Sequence, residues 1–340
     1  MTDREDRNAA GGGRAASTPG ATDGRPERRA DSLRDLAPVV ALVGHAGVGK
    51  TNLALNLALA ATRAGRHVAV ADMDVVNPYF RSSDYPDLLA DAGIALIAPT
   101  FARTALDTPS LSGRLDAVLA QLAARGSAEV ADVERTARGP AAPTPGAAGG
   151  AGADGADGLI DHLIIDVGGD DDGATALGRY AAGLRAAGVR TYYVVNAFRN
   201  LTQTPEEAAA LVPGIQRNAH LEVCGVVNTS NLMGRTTLDD VAHGRAFAAR
   251  VAEILGVPLV ATAVPRVAVM AGRAAADGRA AAEVPADEVP SPVAVAALPL
   301  AEALRGSAAS GDSVANGALD AGAHGEELLV MERFVRTPWG

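Results

Sequence analysis

The sequence predicts an α/β domain built on a parallel sheet. Three observations predict it. Short apolar runs alternate with helix-compatible stretches, a glycine-rich loop separates the first run from the first helix, and two later runs end in aspartate.

The first strand is expected over residues 37–43, Ala-Pro-Val-Val-Ala-Leu-Val, a β-rich run that stops at Gly44. A helix follows over residues 51–64 and is closed by Gly65, a residue suited to a C-terminal cap. Its Leu53, Leu57 and Ala60 share one face, and its many small residues permit close approach to a sheet. Residues 67–73 and 94–98 read as the next strands. The pattern resumes at residues 162–166, 191–196, 222–228 and 259–264, with helix-compatible stretches between most of these runs. Residues 328–334 recover apolar character as an edge strand or a docked helix. No internal repeat is found.

The intervening stretches differ in composition. Residues 1–36 carry Arg, Asp, Gly and Ala without periodicity and read as a disordered tail. Residues 126–158 turn to Ala, Gly, Pro and Asp and read as a flexible insertion, and residues 276–325 as a low-complexity segment with one short helix near 298–304. The organisation is thus a tail, a domain over 37–275 that carries the insertion, the low-complexity segment, and a C-terminal segment, 326–340, that docks on the domain.

A net charge of −10 argues against nucleic acid or an anionic membrane as the main partner. Cys224 is the single cysteine, so neither an intramolecular disulfide nor a multi-thiolate zinc site is expected. No apolar run has the length of a membrane span, and the N-terminus lacks the apolar core of a secretory signal. The expected location is the cytoplasm.

The chemistry begins at Gly44-His45-Ala46-Gly47-Val48-Gly49-Lys50-Thr51, which fits G-x-x-x-x-G-K-[ST] between a strand and a helix. An ordinary glycine turn is the alternative. The order strand, loop, helix favours a phosphate loop. Gly44, Gly47 and Gly49 let backbone N–H groups, that of Val48 included, turn inward around phosphate oxygens at a helix N-terminus. Lys50 would neutralise the β- and γ-phosphates, and the Thr51 hydroxyl would ligate Mg²⁺.

Acidic residues are then needed beside the metal. The run Ile164-Ile165-Asp166 enters the glycine loop Val167-Gly168-Gly169, and Asp166 is expected to hold Mg²⁺ through water. The run to Asp72-Met73-Asp74 places two carboxylates on the same side by strand alternation. Asp72 is assigned to the metal and Asp74 to orienting the attacking water. Strand-end aspartates chosen for turn chemistry are the alternative. Asp170-Asp171-Asp172 forms an acidic loop that either meets a metal or partner or is simply solvated. Asn77-Pro78-Tyr79-Phe80-Arg81-Ser82 reads as a switch or partner-contact loop.

Asn228 ends the strand over 222–228, where α/β nucleotide sites read the base. A guanine reader needs N-K-x-D, whereas this run is Asn228-Thr229-Ser230-Asn231, so adenine is preferred. An asparagine placed for its turn chemistry is the alternative.

These residues resemble the MinD/ParA group of P-loop ATPases, and more narrowly a bacterial ATP-binding branch carrying a CobQ/CobB/MinD/ParA-type domain. The likeness is carried by Gly44-His45 with Gly49-Lys50-Thr51, by residues 72–81, by residues 165–170, by Asn196-Ala197-Phe198-Arg199, by Asn228-Thr229-Ser230-Asn231 and by Pro338-Trp339. The resemblance implies a doubly wound parallel sheet, Mg·ATP binding, and loops that respond to the γ-phosphate. It also implies that Asp74 positions water and Asp166 lies on the metal side. One departure stands out. Those relatives carry a signature lysine where this chain has His45, which puts their ATP-sandwiched dimer and its catalysis in doubt.

The expected cofactors are ATP and Mg²⁺. The expected function is a slow ATPase switch controlling contacts with a protein partner or a second copy. The alternatives are phosphoryl transfer or ligation of the CobQ/CobB type, and a nucleotide-gated scaffold with negligible turnover.

Overall fold

The computed structural model describes residues 36–74, 82–100, 110–111, 113–137, 159–169, 171–278 and 326–334. The expected N-terminal tail up to residue 35, most of the insertion, the helix near 298–304, the loop from Asn77 to Arg81, Asp170 and Pro338-Trp339 lie outside these residues.

In chain order the elements are β1 (Val39–Val43), α1 (Lys50–Arg63), β2 (Val68–Met73), α2 (Pro86–Asp91), β3 (Ala95–Ile97), β4 (Pro99–Thr100), β5 (Ser110–Leu111) and α3 (Gly113–Ala137). They continue as β6 (His162–Val167), α4 (Asp171–Gly178), α5 (Ala181–Ala186), β7 (Val189–Val195), α6 (Pro205–Ala219), β8 (Val223–Asn228), α7 (Leu238–Leu255), β9 (Leu259–Pro265), α8 (Arg266–Asp277) and β10 (Glu327–Met331).

Eight strands form one sheet in the order β10-β9-β8-β7-β1-β6-β2-β3, and every neighbouring pair is parallel. The β-branched and alanine-rich runs suit such a sheet because both of its faces are covered. Along β1, Val39, Ala41 and Val43 pack on one side with Leu115, Leu177, Val212 and Val251 from α3, α4, α6 and α7. Val40 and Leu42 pack on the other with Leu53 and Leu57 of α1 and Leu89 of α2. The sheet is therefore doubly wound. Leu53 and Leu57 are buried and Ala60 is half-buried, so the predicted face of α1 is the one it uses.

Strand order places the site. From β1 the chain crosses to β2, leaving room for β6 between them, and from β6 it crosses over β1 to β7. The loop after β1 thus lies at a point where connections leave in opposite directions, and crevices of α/β sheets open at such points.

Three boundaries differ from the sequence reading. Helix α3 continues to Ala137, so the first dozen residues assigned to the flexible insertion are helical. They contain Ala, Glu and Arg and no proline, and those residue types favour a helix over the disorder that Gly126 suggested. Helix α8 reaches Asp277, two residues into the segment 276–325 that was expected to be of low complexity. The C-terminal run adopts the strand alternative: β10 pairs in parallel with β9, from Glu327 opposite Ala261 to Met331 opposite Pro265. No described helix is long and apolar enough to cross a membrane.

Candidate functional site

The loop from Gly44 to Gly49 needs glycine on physical grounds. Gly44, Gly47 and Gly49 have φ values of 148°, 73° and 106°, a region that side chains rarely occupy. A Cβ at Gly44 would also sit 2.4 Å from the Val194 carbonyl oxygen of β7. Val48 points its side chain into the core, so its contribution to a ligand is its backbone.

Helix α1 starts here without a side-chain cap on Gly49. Among the longer helices, α6 and α7 each open with a capping box, Thr204 with Glu207 and Thr237 with Asp240, whereas the short α2 and α5 lack a side-chain cap as α1 does. A helix end that is left uncapped beneath an exposed loop keeps its first N–H groups for an anion. Lys50 lies in that first turn. Its Nζ donates to the Gly44 carbonyl at 2.8 Å and the His45 carbonyl at 3.0 Å, folding the ammonium back under the loop.

The predicted acids converge beside it. Asp72 of β2 and Asp166 of β6 are direct neighbours in register, and both are buried. Ser82 Oγ donates to Asp166 at 2.8 Å, and the Thr51 side chain also hydrogen-bonds this carboxylate. Asp72 accepts from the backbone N–H groups of Asp74 at 2.9 Å and Ser83 at 3.0 Å. Burial and the facing Asp72 charge push the Asp166 carboxyl up to about 6, and its bonds and Lys50 offset this only in part. Burial likewise raises Asp72. Asp74 stands one residue beyond β2 and is half-buried, so strand alternation stops short of it although it remains beside Asp72.

The loop is braced from both sides. Thr229, after β8, donates its hydroxyl to the Val48 carbonyl at 2.6 Å, with the Val195 carbonyl a second acceptor at 3.0 Å. A Cβ on Gly169 would meet Ala46 at 2.4 Å, so the loop after β6 lies directly on the P-loop, which only a glycine permits. Asn228 is fully buried. Its Oδ1 accepts from the Ser230 N–H at 3.0 Å, the turn chemistry expected as the alternative, while its Nδ2 has no partner among the described residues. Asn196 at the end of neighbouring β7 repeats this: Oδ1 accepts from Phe198 at 3.0 Å and Nδ2 is unpaired.

A family model, the CobQ/CobB/MinD/ParA nucleotide-binding domain, matches residues 39–266. The chain belongs to this family. It is a nucleotide-binding P-loop NTPase of MinD/ParA type, as its loop and doubly wound sheet led one to expect. No curated protein matches the sequence. Solved structures with some likeness include FtsY from Mycoplasma mycoides, 15% identical over 68% of this chain and 61% of that one, with a TM-score of 0.40. The signal recognition particle 54 kDa protein from Aeropyrum pernix K1, in complex with GDP, is 17% identical over 69% and 41% of the two chains, with a TM-score of 0.37. The cell division protein FtsY from Thermotoga maritima is 16% identical over 69% and 64%, with a TM-score of 0.38. The chain thus spans less than two thirds of each of these proteins. At such TM-scores they add nothing to the family assignment.

Sequence reading missed Ser82, Ser83 and Thr229 in their structural roles. Serine and threonine are common in loops, and only the strand order brings these three to the acids and the P-loop. The acidic run resolves differently from expectation: Asp171 and Asp172 form the first turn of α4, where carboxylates favour the positive helix end.

Proposed function

We propose that the protein is a Mg²⁺-dependent ATP-binding protein and a slow ATPase, whose nucleotide state controls its contacts with a protein partner or a second copy. The observation that carries this reading is the Thr51–Asp166 hydrogen bond at the uncapped start of α1, with Lys50 in the same turn and Asp72 alongside. The donor set fits a hard divalent cation. It offers a hydroxyl and two carboxylates whose mutual repulsion a cation would relieve, and no thiolate or imidazole. Among the described residues no cluster of three or more His, Cys, Asp or Glu could hold a metal unaided, so nucleotide and water oxygens would complete the shell. When bound, Mg²⁺ would neutralise charge on the phosphate oxygens.

The chain's own residues supply the rest. The N–H groups of the loop and of α1's first turn would hold the β-phosphate. Lys50 would swing from the Gly44 and His45 carbonyls to the β- and γ-phosphates, exchanging dipolar acceptors for charged ones. Asp74, half-buried beside Asp72, is the group to orient a water. The base would meet the ends of β7 and β8, where Asn228 offers an amide N–H unpaired among the described residues and the run Asn228-Thr229-Ser230-Asn231 carries no carboxylate for guanine. ATP is therefore preferred over GTP.

Calorimetry with a non-hydrolysable ATP analogue, with and without Mg²⁺, tests the reading. Wild type should bind in a Mg²⁺-dependent way, and Lys50→Ala should lose most of the affinity. Equal binding by the two proteins would refute it, and equal competition by GTP would refute the base assignment.

A further inference from the structure

We infer that Arg199 is a second cation of the phosphate site, acting on the same chain's nucleotide across Gly47 of the P-loop. This rests on the nucleotide-binding reading above and adds a ligand-contacting residue to it. Arg199 sits between β7 and α6, in a loop fixed at both ends. Ala197 N–H donates to Ser230 Oγ at 2.9 Å, Phe198 N–H to Asn196 Oδ1 at 3.0 Å, and Thr202 N–H to the Arg199 carbonyl at 3.3 Å. The capping box of Thr204 and Glu207 closes the far end. The side chain is thereby laid on the P-loop: a Cβ built on Gly47 would lie 3.9 Å from both Cζ and Nε of Arg199, the only neighbours it would meet among the described residues.

Among the described residues the guanidinium has no partner to explain its place. Its Nε is buried without an acceptor among the described residues. Other shielded arginines are paired. Arg245 Nε donates to Glu326 at 2.8 Å and Arg266 to Glu332 at 2.7 Å. Burial of Arg199 without compensation penalises its charged form and pulls its pKa down. Arginine keeps its proton even so, and the site therefore holds a positive charge that no described residue answers. What lies in front of that charge is the exposed crown of the loop, Ala46 and Gly47, above the uncapped start of α1 and Lys50. A polyphosphate held there would meet the planar fork from the side opposite the Asp72–Asp166 pair, since β7 and β6 flank β1 on opposite sides.

The test compares wild type, Arg199→Met and Arg199→Lys by calorimetry at fixed ionic strength, with inorganic tripolyphosphate and with the Mg²⁺-bound ATP analogue. Methionine keeps an unbranched stem on Gly47 and removes the charge. It should weaken both ligands by a similar factor, roughly 10- to 100-fold, as expected for a lost charge-assisted contact. Lysine should recover part of that loss. Unchanged affinity in Arg199→Met beside a wild type that binds would overturn this proposal and leave the nucleotide site standing. Failure of wild type to bind either ligand would overturn both. A loss confined to the ATP analogue would place Arg199 at the base and overturn it too. Should Arg199→Met not fold, the arginine Nε–H resonances of wild type decide. Tripolyphosphate must shift the one that is absent from Arg199→Lys, and an unmoved resonance refutes the contact.

Discussion

Asp166→Asn should make the ligand-free protein more stable at neutral pH while destroying its response to Mg·ATP. The wild-type carboxyl is 1% exposed and faces Asp72 across the β2–β6 ladder. Its pKa stands at about 6 in the fold against an ordinary 3.8, because burial and the Asp72 charge oppose ionisation. Between those values the folded chain binds more protons than the unfolded one. Stability therefore falls as pH rises through the interval and stays lower above it. At about 1.4 kcal/mol per pH unit, the ionised group costs the fold roughly 3 kcal/mol by neutral pH. Asparagine cannot ionise, and its amide oxygen can still accept from Ser82. A mismatched amide N–H returns about 1 kcal/mol of that gain, leaving a net stabilisation of about 2 kcal/mol.

The assay is urea unfolding in EDTA from pH 4 to pH 8, scored as the variant minus wild type. The difference should be near zero or slightly negative at pH 4 and open progressively toward pH 7. Subtraction matters because other carboxylates run the opposite way. Asp161 is held at about 2 by Arg125, so the stability it adds is present above 3.8 and lost as pH falls through about 2. That contribution cancels between the two proteins. A difference that is independent of pH, or an asparagine variant less stable than wild type at pH 8, would refute the argument. Mg·ATP should raise the melting temperature of wild type only.

Three further outcomes are expected. Gly44→Ala should destabilise the protein by several kcal/mol in thermal or urea melts, since the new Cβ would lie 2.4 Å from the backbone carbonyl of Val194, a residue held in β7 by pairing with Val227. Asp74→Ala should slow phosphate release from ATP at least tenfold while changing analogue affinity by less than about threefold, the pattern of a group that acts in the transition state; the reverse pattern would make it a metal-side residue. Asn56→Ala should cost about 1–3 kcal/mol and speed amide exchange at Glu332, because Asn56 donates to the Glu332 carbonyl at 2.9 Å and accepts from its N–H at 2.9 Å.

Much of this architecture is legible in the chain because each strand is a short β-rich run bounded by glycine or a polar residue, and because the phosphate loop has a fixed spacing. What the sequence leaves open depends on contacts between distant residues. The run 328–334 has no periodicity to separate strand from helix. It becomes a strand because β9 offers a free edge and because Asn52 and Asn56 of α1 satisfy the backbone of Glu332 and Phe334 just beyond it. Asp72 and Asp166 each read as acids at strand ends. Their confrontation follows from β6 inserting between β1 and β2, a crossover no local pattern encodes. Thr229 looked like part of a base-reading turn, yet its hydroxyl ties Val48 to β7 from 181 residues away. Arg199 reads in the sequence only as the end of the Asn196-Ala197-Phe198-Arg199 run, and its place on Gly47 is what separates it from a surface arginine.

The site's unanswered groups fall into two sets, and the sets have opposite demands. On the β2–β6 side, Asp72 and Asp166 are buried and repel one another, a cost that only positive charge removes. On the β7–β8 side, Asn196 Nδ2, Asn228 Nδ2 and Arg199 Nε are buried donors that lack acceptors among the described residues, a cost that only lone pairs or negative charge remove. Between them lies the P-loop, its helix uncapped. A bare cation would answer the first set alone and a bare nucleotide the second. Each unmet group is paid for by the folded state, at about 1–3 kcal/mol for a buried unsatisfied donor, so an occupant that meets both sets recovers the most free energy. Under the proposed reading that occupant is the Mg²⁺–nucleotide complex. Its binding would stabilise the fold in proportion to RT ln(1 + [L]/Kd), and the same unpaired groups that weaken the empty protein would then be the source of its affinity.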